Sequence, residues 1–415
     1  MRFASTAAGI ALIITSCTPL SALRPNTASY PSNSVIDESG RKLAFIEFGE
    51  QGSYQDPSQL QNALQLIKQT PQPLIITYVH GWQNNAESDD VGRFSSLLAR
   101  LHRAPAIRDA HFNVIGIYLG WRGKLTSVPV LKELSFWNRK ATAERIASNF
   151  DCYDAIASIS EAARKYHGDS QYTILLGHSF GGLIVERSVA HGINAEMHGH
   201  AATDRSMPAN LVMVVNPASD SVLSRQMIAA LYSRHTGGTR PLFVSITSTA
   251  DQATGLAFPI GTNAASVSKG FNSVAVPGRQ HPENERQFYT HTPGHNELLI
   301  NHQTKKLPKT ISSHELPALE TNLEHNLAAD VFTLDGPQRG LELWQFEPVG
   351  TVDVPYWNVK VDPSIIKNHG DLWNERAEAM MAAIFRITNP RLNPHAKPRA
   401  TLQKPADFSR LAPGN

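Results

Sequence analysis

Five short stretches of the chain are apolar at nearly every position: Leu74–Val79 (LIITYV), Val114–Leu119 (VIGIYL), Tyr172–Leu176 (YTILL), Leu211–Val215 (LVMVV) and Leu242–Ile246 (LFVSI). Continuous rather than alternating apolar runs of that length suit strands buried on both faces of a parallel sheet. Trp357–Val361 (WNVKV) is a less apolar candidate for a last strand. Between these runs apolar residues recur at helical spacing over Val91–Leu101, Thr142–Tyr166, Leu183–Ala190 and Ser221–Leu231, and a further helix is predicted over Leu372–Phe385. The alternation predicts an α/β fold, a mostly parallel sheet with helices on both faces. From about 254 to 350 the rhythm breaks into a polar segment rich in His, Asn and Pro. It reads as an insertion between the last two core strands, either a cap above the sheet or a disordered excursion.

The two ends differ from this body. Arg2 precedes a short apolar run, Ala7–Thr15, that closes on Ile14-Thr15-Ser16-Cys17. The order aliphatic, small, small, Cys resembles the lipobox of bacterial lipoproteins. The resemblance implies removal of residues 1–16 as a signal peptide and lipidation of Cys17, several acyl chains giving the stable anchoring that a single chain does not. The alternative is a plain secretory signal with an incidental Cys. Residues 17–40 then form the lipidated Cys and a flexible tether rich in Pro, Ser, Thr and Asn, 41–386 the α/β domain, and 387–415 a Pro-rich irregular tail. With 415 residues the chain has room for one large domain with an insertion or for two. A net charge of +2 argues against nucleic acid as a partner. Cys152 is the second of two cysteines, so no disulfide framework is expected, and its Ala-rich surroundings suit a packed side chain.

The chemistry concentrates at Gly177-His178-Ser179-Phe180-Gly181-Gly182, which follows one predicted strand and opens a predicted helix. A Gly-x-Ser-x-Gly elbow forces the chain through a tight turn and lifts the Ser hydroxyl clear of the sheet, with the helix N-terminus aimed at the same spot. Ser179 is thus the candidate nucleophile. A hydroxyl needs a base, and the base a carboxylate; the elbow resembles that of α/β-hydrolases, which implies the order Ser, acid, His along the chain. Asp251, beyond Leu242–Ile246, is the favoured acid and Asp220, beyond Leu211–Val215, the runner-up. His369, between the last strand and the last helix, is the favoured base, with His291, His295 and His302 as alternatives. His80-Gly81-Trp82 after Leu74–Val79 resembles the His-Gly turn after the third strand of lipases and esterases, and the resemblance implies the Trp82 amide as one oxyanion donor and the Phe180 amide as the other; the plainer role for His80 is a core residue bracing the turn.

These segments, with YVHGWQNNA (78–86), GIYLGWRGK (116–124), LSFWNRKATAERI (134–146) and NHGD (368–371), make the chain resemble α/β-hydrolases over residues 41–386, within a bacterial group of esterase- or lipase-like proteins. The resemblance implies an esterase or lipase working through Ser179, Asp251 and His369 and an acyl-enzyme, without a cofactor. Thioesterase, amidase or peptidase chemistry on the same triad stays open, as does a non-catalytic, lipid-anchored scaffold. Arg122, Arg139 and Lys140 either line a pocket for an anionic group or tie loops to carboxylates. His191, His198 and His200 lack companions at ligand spacing, so no metal is expected. The expected partners are a small-molecule or lipid ester and a membrane reached through the anchor. The expected address is the bacterial envelope, at the outer membrane because Thr18 rather than Asp follows the Cys. Oligomeric state is left open.

Overall fold

The computed structural model describes residues 35–38, 41–124, 129–197, 208–232, 240–312, 331–335 and 340–393. Residues 1–34, on which the expected signal peptide, Cys17 and most of the expected tether fall, together with His198, His200 and residues 394–415, lie outside them.

The predicted strands form, each within a residue or two of its apolar run. They are β3 (Pro73–Val79), β4 (Asn113–Trp121), β5 (Tyr172–His178), β6 (Leu211–Val215), β7 (Phe243–Ser248) and β13 (Tyr356–Val361). Two N-terminal strands precede them, β1 (Val35–Glu38) and β2 (Arg41–Phe48). Later come a small hairpin, β8 (Ser273–Val274) with β9 (Glu283–Asn284), and the strands β10 (His302–Ser312), β11 (Val331–Asp335) and β12 (Gly340–Pro348). Among the described residues eleven strands make one sheet in the order β1-β2-β4-β3-β5-β6-β7-β13-β10-β12-β11. Neighbours from β2 through to β10 run parallel, while β1 at one edge and β12 and β11 at the other are antiparallel additions.

Each central strand is apolar throughout because both of its faces are covered. In β4, Ile115, Ile117 and Leu119 enter one core while Val114 and Tyr118 enter the other. The first core is closed by α1 (Pro57–Gln69), α4 (Pro129–Ser148), α5 (Phe150–His167), α6 (Phe180–Met197) and α7 (Val222–Tyr232). The second is closed by α2 (Asp89–Arg103), the short α3 (Pro105–Asp109) and α10 (Glu375–Thr388). Two further helices, α8 (Phe258–Ala265) and α9 (Arg286–Thr290), belong to the insertion. Among the described residues no helix is long and apolar enough to cross a membrane. Cys152 is buried in the first core, where burial pushes its thiol up to about 12.

Three readings of the sequence change. The flexible tether expected over 17–40 gives way at Val35–Glu38 to strand β1, which pairs antiparallel with β2 and so extends the sheet edge. The helix expected over Thr142–Tyr166 is two helices, broken at Asn149, whose extended backbone and side chain cap α5 by accepting from the Asp151 amide at 2.9 Å. The insertion is not simply a layer above the sheet. Its first half, beyond α8 and α9, brings the turn Pro293–His295 against β7 and β13, where the Asn358 side chain donates to Pro293 O at 2.7 Å. Its second half extends the sheet itself, as β10, β12 and β11. These strands interleave polar with apolar residues, as in Leu341-Glu342-Leu343 and Trp344-Gln345-Phe346-Glu347, so a search for continuous apolar runs passes over them.

Chain order places the site. The connection after β3 goes to α2 on one face, and that after the neighbouring β5 to α6 on the other. The carboxyl ends of β3 and β5 therefore flank a crevice at a topological switch point, where open α/β sheets place their ligands.

Candidate active site

Ser179 occupies the turn from β5 into α6 with φ at 56°, a left-handed conformation that costs an L-residue about 1–2 kcal/mol. Hydrogen bonds hold it there: its N–H donates to Val215 O at 3.1 Å, and its carbonyl accepts from Ala218 at 3.0 Å and Leu183 at 3.2 Å. The flanking glycines are there for space. A Cβ on Gly181 would stand 2.0 Å from Val79 O, and one on Gly177 2.7 Å from Gly181 O.

The three residues favoured as a triad meet across the sheet edge. Ser179 Oγ lies 2.7 Å from His369 Nε2, and His369 Nδ1 lies 2.9 Å from Asp251 Oδ2. With the hydroxyl donating to Nε2, the ring proton sits on Nδ1 and is donated to the carboxylate. Asp251 is buried and further satisfied: Oδ1 accepts from the Ala253 and Thr254 amides at 2.9 and 3.2 Å, and Oδ2 from the Thr254 hydroxyl. Burial alone would raise its pKa. The hydrogen bond and charge of His369, with the Thr254 bonds, outweigh that and hold it below the usual carboxylate range.

The rival candidates do not join this relay of hydrogen bonds. Asp220 accepts from the Val222 amide at 3.3 Å, and burial pushes its carboxyl up. His291 pairs with Thr290 Oγ1 at 3.0 Å, and His302 stacks on Trp357 with 4.2 Å between ring centroids. His295 is packed against Gly255 in the insertion, where burial lowers its pKa.

The Trp82 turn faces Ser179, since a Cβ on Gly81 would stand 2.7 Å from Ser179 Cβ. His80 fixes the turn. Trp121 N–H donates to His80 Nε2 at 3.0 Å, so Nδ1 carries the proton and donates to Gly81 O at 2.9 Å. That carbonyl belongs to the same peptide unit as the Trp82 N–H, and in a trans peptide the two point opposite ways. Bracing the carbonyl therefore aims the amide. Phe180 is the first residue of α6, where helix geometry leaves the N–H without an intrahelical partner.

Sequence reasoning missed the residues that hold His369. The His369 carbonyl accepts from His178 Nε2 at 2.8 Å and from Asn216 Nδ2 at 3.0 Å. Asn216, itself left-handed with φ at 46°, also accepts from the Ser248 amide at 3.0 Å, tying the end of β7 to the His369 loop. Its position in Val215-Asn216-Pro217 at a strand end was a legible turn signal, but the distant partner was not. Burial, then the adjacent His369, lowers His178 to about 4, so it stays neutral. Asp371 holds the loop through the Lys367 amide at 2.9 Å, while Asn374 caps α10.

Arg139 bonds Glu50 at 2.8 Å and Lys140 pairs with Glu144 at 2.5 Å, while the Arg122 guanidinium stands 3.8 Å from Glu50. All three cations therefore face carboxylates of the chain. Among the described residues no group of three or more His, Cys, Asp or Glu is arranged to hold a metal, and His191 lies in α6.

Behind the elbow, Glu186 of α6 is buried and accepts from the Ser219 and Ser224 hydroxyls. Burial pushes its carboxyl up to about 7. A group with a raised folded pKa contributes stability below its unfolded value, about 4.5, and loses it as pH rises through 7. Glu186→Gln is expected to remove that slope and raise Tm at pH 8 relative to wild type. Calorimetric Tm at pH 4.5, 6 and 8 checks it, and parallel curves for the two proteins would refute it.

No family model matches the chain, and neither does any curated protein. Among solved structures, LpqC, a poly(3-hydroxybutyrate) depolymerase from Bordetella parapertussis, aligns with 76% of this chain and 79% of its own, at 12% identity and a TM-score of 0.29. A likeness that distant carries no argument about activity, which rests on the geometry of Ser179, His369 and Asp251.

Proposed function

We propose that the chain is a serine hydrolase that cleaves carboxylic esters through an acyl-enzyme. The observation that carries this is the relay from Ser179 Oγ to His369 Nε2 at 2.7 Å and from His369 Nδ1 to Asp251 at 2.9 Å, raised on a left-handed strand-to-helix turn. Ser179 Oγ attacks the acyl carbon while His369 takes its proton, and Asp251 stabilises the imidazolium. The Trp82 and Phe180 amides receive the negative charge on the carbonyl oxygen. His369 then returns the proton to the departing alcohol, and a water activated by the same imidazole releases the acid. A fluorophosphonate probe tests the first step, because it reacts only with an activated serine. Labelling mapped to Ser179, together with turnover of p-nitrophenyl esters, is expected. Absence of both would leave the non-catalytic scaffold.

The lipobox-like Ile14-Thr15-Ser16-Cys17 supports placing this activity on a lipid anchor at the bacterial outer membrane. In an expressing bacterium, metabolic labelling with an alkyne fatty acid should mark the full-length protein and vanish in Cys17→Ala. Equal labelling of both would refute the anchor.

A further inference from the structure

We infer that a linear acyl chain of medium to long length lies along an apolar strip leading out from Ser179 over Phe136, Trp137, Ile260 and Leu256, which makes lipophilic acyl esters the substrate class. This rests on the ester-hydrolase reading above. The strip begins at the oxyanion turns. Phe136 of α4 packs its ring 4.9 Å from that of Phe180 and edge-on to Trp82 at 5.2 Å. Trp137 continues it at 5.2 Å from Phe136, with 44% of its surface exposed. The backbone of α8 presses on that indole, for a Cβ on Gly261 would fall 1.8 Å from Trp137 Cζ2.

Next to Gly261 in the chain stands Ile260, with Leu256 one turn before it, 63% and 59% exposed. They belong to a segment hung directly from Asp251, and from Gln252 to Ser268 it carries no charged residue. Phe258 is buried beneath it. Single exposed aliphatic residues need no explanation. Here they share one uncharged segment whose Gly261 packs on Trp137, and Trp137 is joined through Phe136 to Phe180, the residue beside the nucleophile. The continuity selects the occupant. When Ser179 Oγ bonds to the acyl carbon and the ester C–O bond breaks, the alcohol leaves with the proton from His369, and the acyl group stays tethered at the start of this strip. A hydrocarbon chain has no polar group to satisfy there, and each methylene taken from water is worth up to about fourfold in affinity.

The test is the chain-length dependence of kcat/KM for p-nitrophenyl acetate, butyrate, hexanoate, octanoate and decanoate, kept below their aggregation limits. Wild type, Trp137→Ala and Ile260→Ser are compared. Wild type is expected to rise with length, and the decanoate-to-acetate ratio to fall by about tenfold or more in each variant. A general loss of fold or of catalysis moves both esters together and leaves the ratio unchanged. A wild-type rate that falls with length, or a ratio untouched by both variants, would overturn the strip while acetate turnover keeps the hydrolase reading intact. Should no ester be turned over, titration of decanoate into Ser179→Ala, followed by calorimetry, still decides: binding weakened in Ser179→Ala/Trp137→Ala is expected, and none at all refutes it. Equal ratios combined with loss of vesicle binding in the variants would assign the strip to a lipid surface instead.

Discussion

Ser179→Ala is expected to lower ester turnover by a factor on the order of 10⁶, the scale at which removing a serine nucleophile disables such a triad. The fold should survive, because the Ser179 side chain makes one hydrogen bond, to His369, and the main-chain bonds that hold the elbow remain. Fluorophosphonate labelling should disappear with the activity. Stability gives an independent readout. Alanine keeps a Cβ at φ 56° and therefore keeps the strain, whereas glycine relieves it. Ser179→Gly should then be more stable than Ser179→Ala by about 1 kcal/mol, despite the greater freedom of glycine in the unfolded chain. Denaturant melts of the two inactive proteins measure this. Equal midpoints would mean that the elbow stores no strain, and residual turnover near wild type would mean that Ser179 is not the nucleophile.

That the elbow was legible in the sequence, and its surroundings less so, follows from distance along the chain. The constraints on Ser179 come from Gly177 and Gly181, two residues away on either side, so a local pattern records them. Asp251 and His369 were legible by position, since each follows a strand of the sheet and so emerges at its carboxyl edge. The clamp on His369 is different in kind. Asn216 reaches a main-chain carbonyl 153 positions on, and a carbonyl leaves no mark on the residue type that bears it. The sheet shows the same division. Strands covered on both faces advertise themselves by continuous apolar residues, as in β3 to β7. β2 carries such a run too, Leu43–Ile46, which was legible and overlooked; by contrast β12 interleaves Glu342 and Gln345 with its apolar positions, so its partners are needed to recognise it. The helix α1 was overlooked although Asp56 accepts from the Ser58 amide at 2.9 Å and Pro57 opens the first turn, a start signal written in neighbouring residues.

Asp251→Asn should lower kcat by about 10⁴ at neutral pH, through the tautomer of the base rather than through lost packing. The hydrogen bonds around Asp251 dictate which way the new amide turns. Oδ1 accepts from two main-chain N–H groups, Ala253 and Thr254, and these cannot become acceptors. The asparagine oxygen must therefore stay on that side, which places its NH2 where Oδ2 faces His369 Nδ1 and the Thr254 hydroxyl. The hydroxyl can turn to accept. The imidazole can adapt only by making Nδ1 the acceptor, which moves its proton to Nε2 and leaves nothing to receive the proton of Ser179. The substitution also has a signature in stability. Because the folded pKa of Asp251 is depressed, its carboxylate contributes stability above the unfolded value, near 3.8, and loses it as pH falls through the folded one. Urea midpoints of wild type and Asp251→Asn should therefore converge on going from pH 7 towards pH 3. If kcat stayed within tenfold of wild type, Asp251 would not orient the base. If the midpoints kept a constant gap across that range, the carboxylate would not be held ionised by His369 and Thr254.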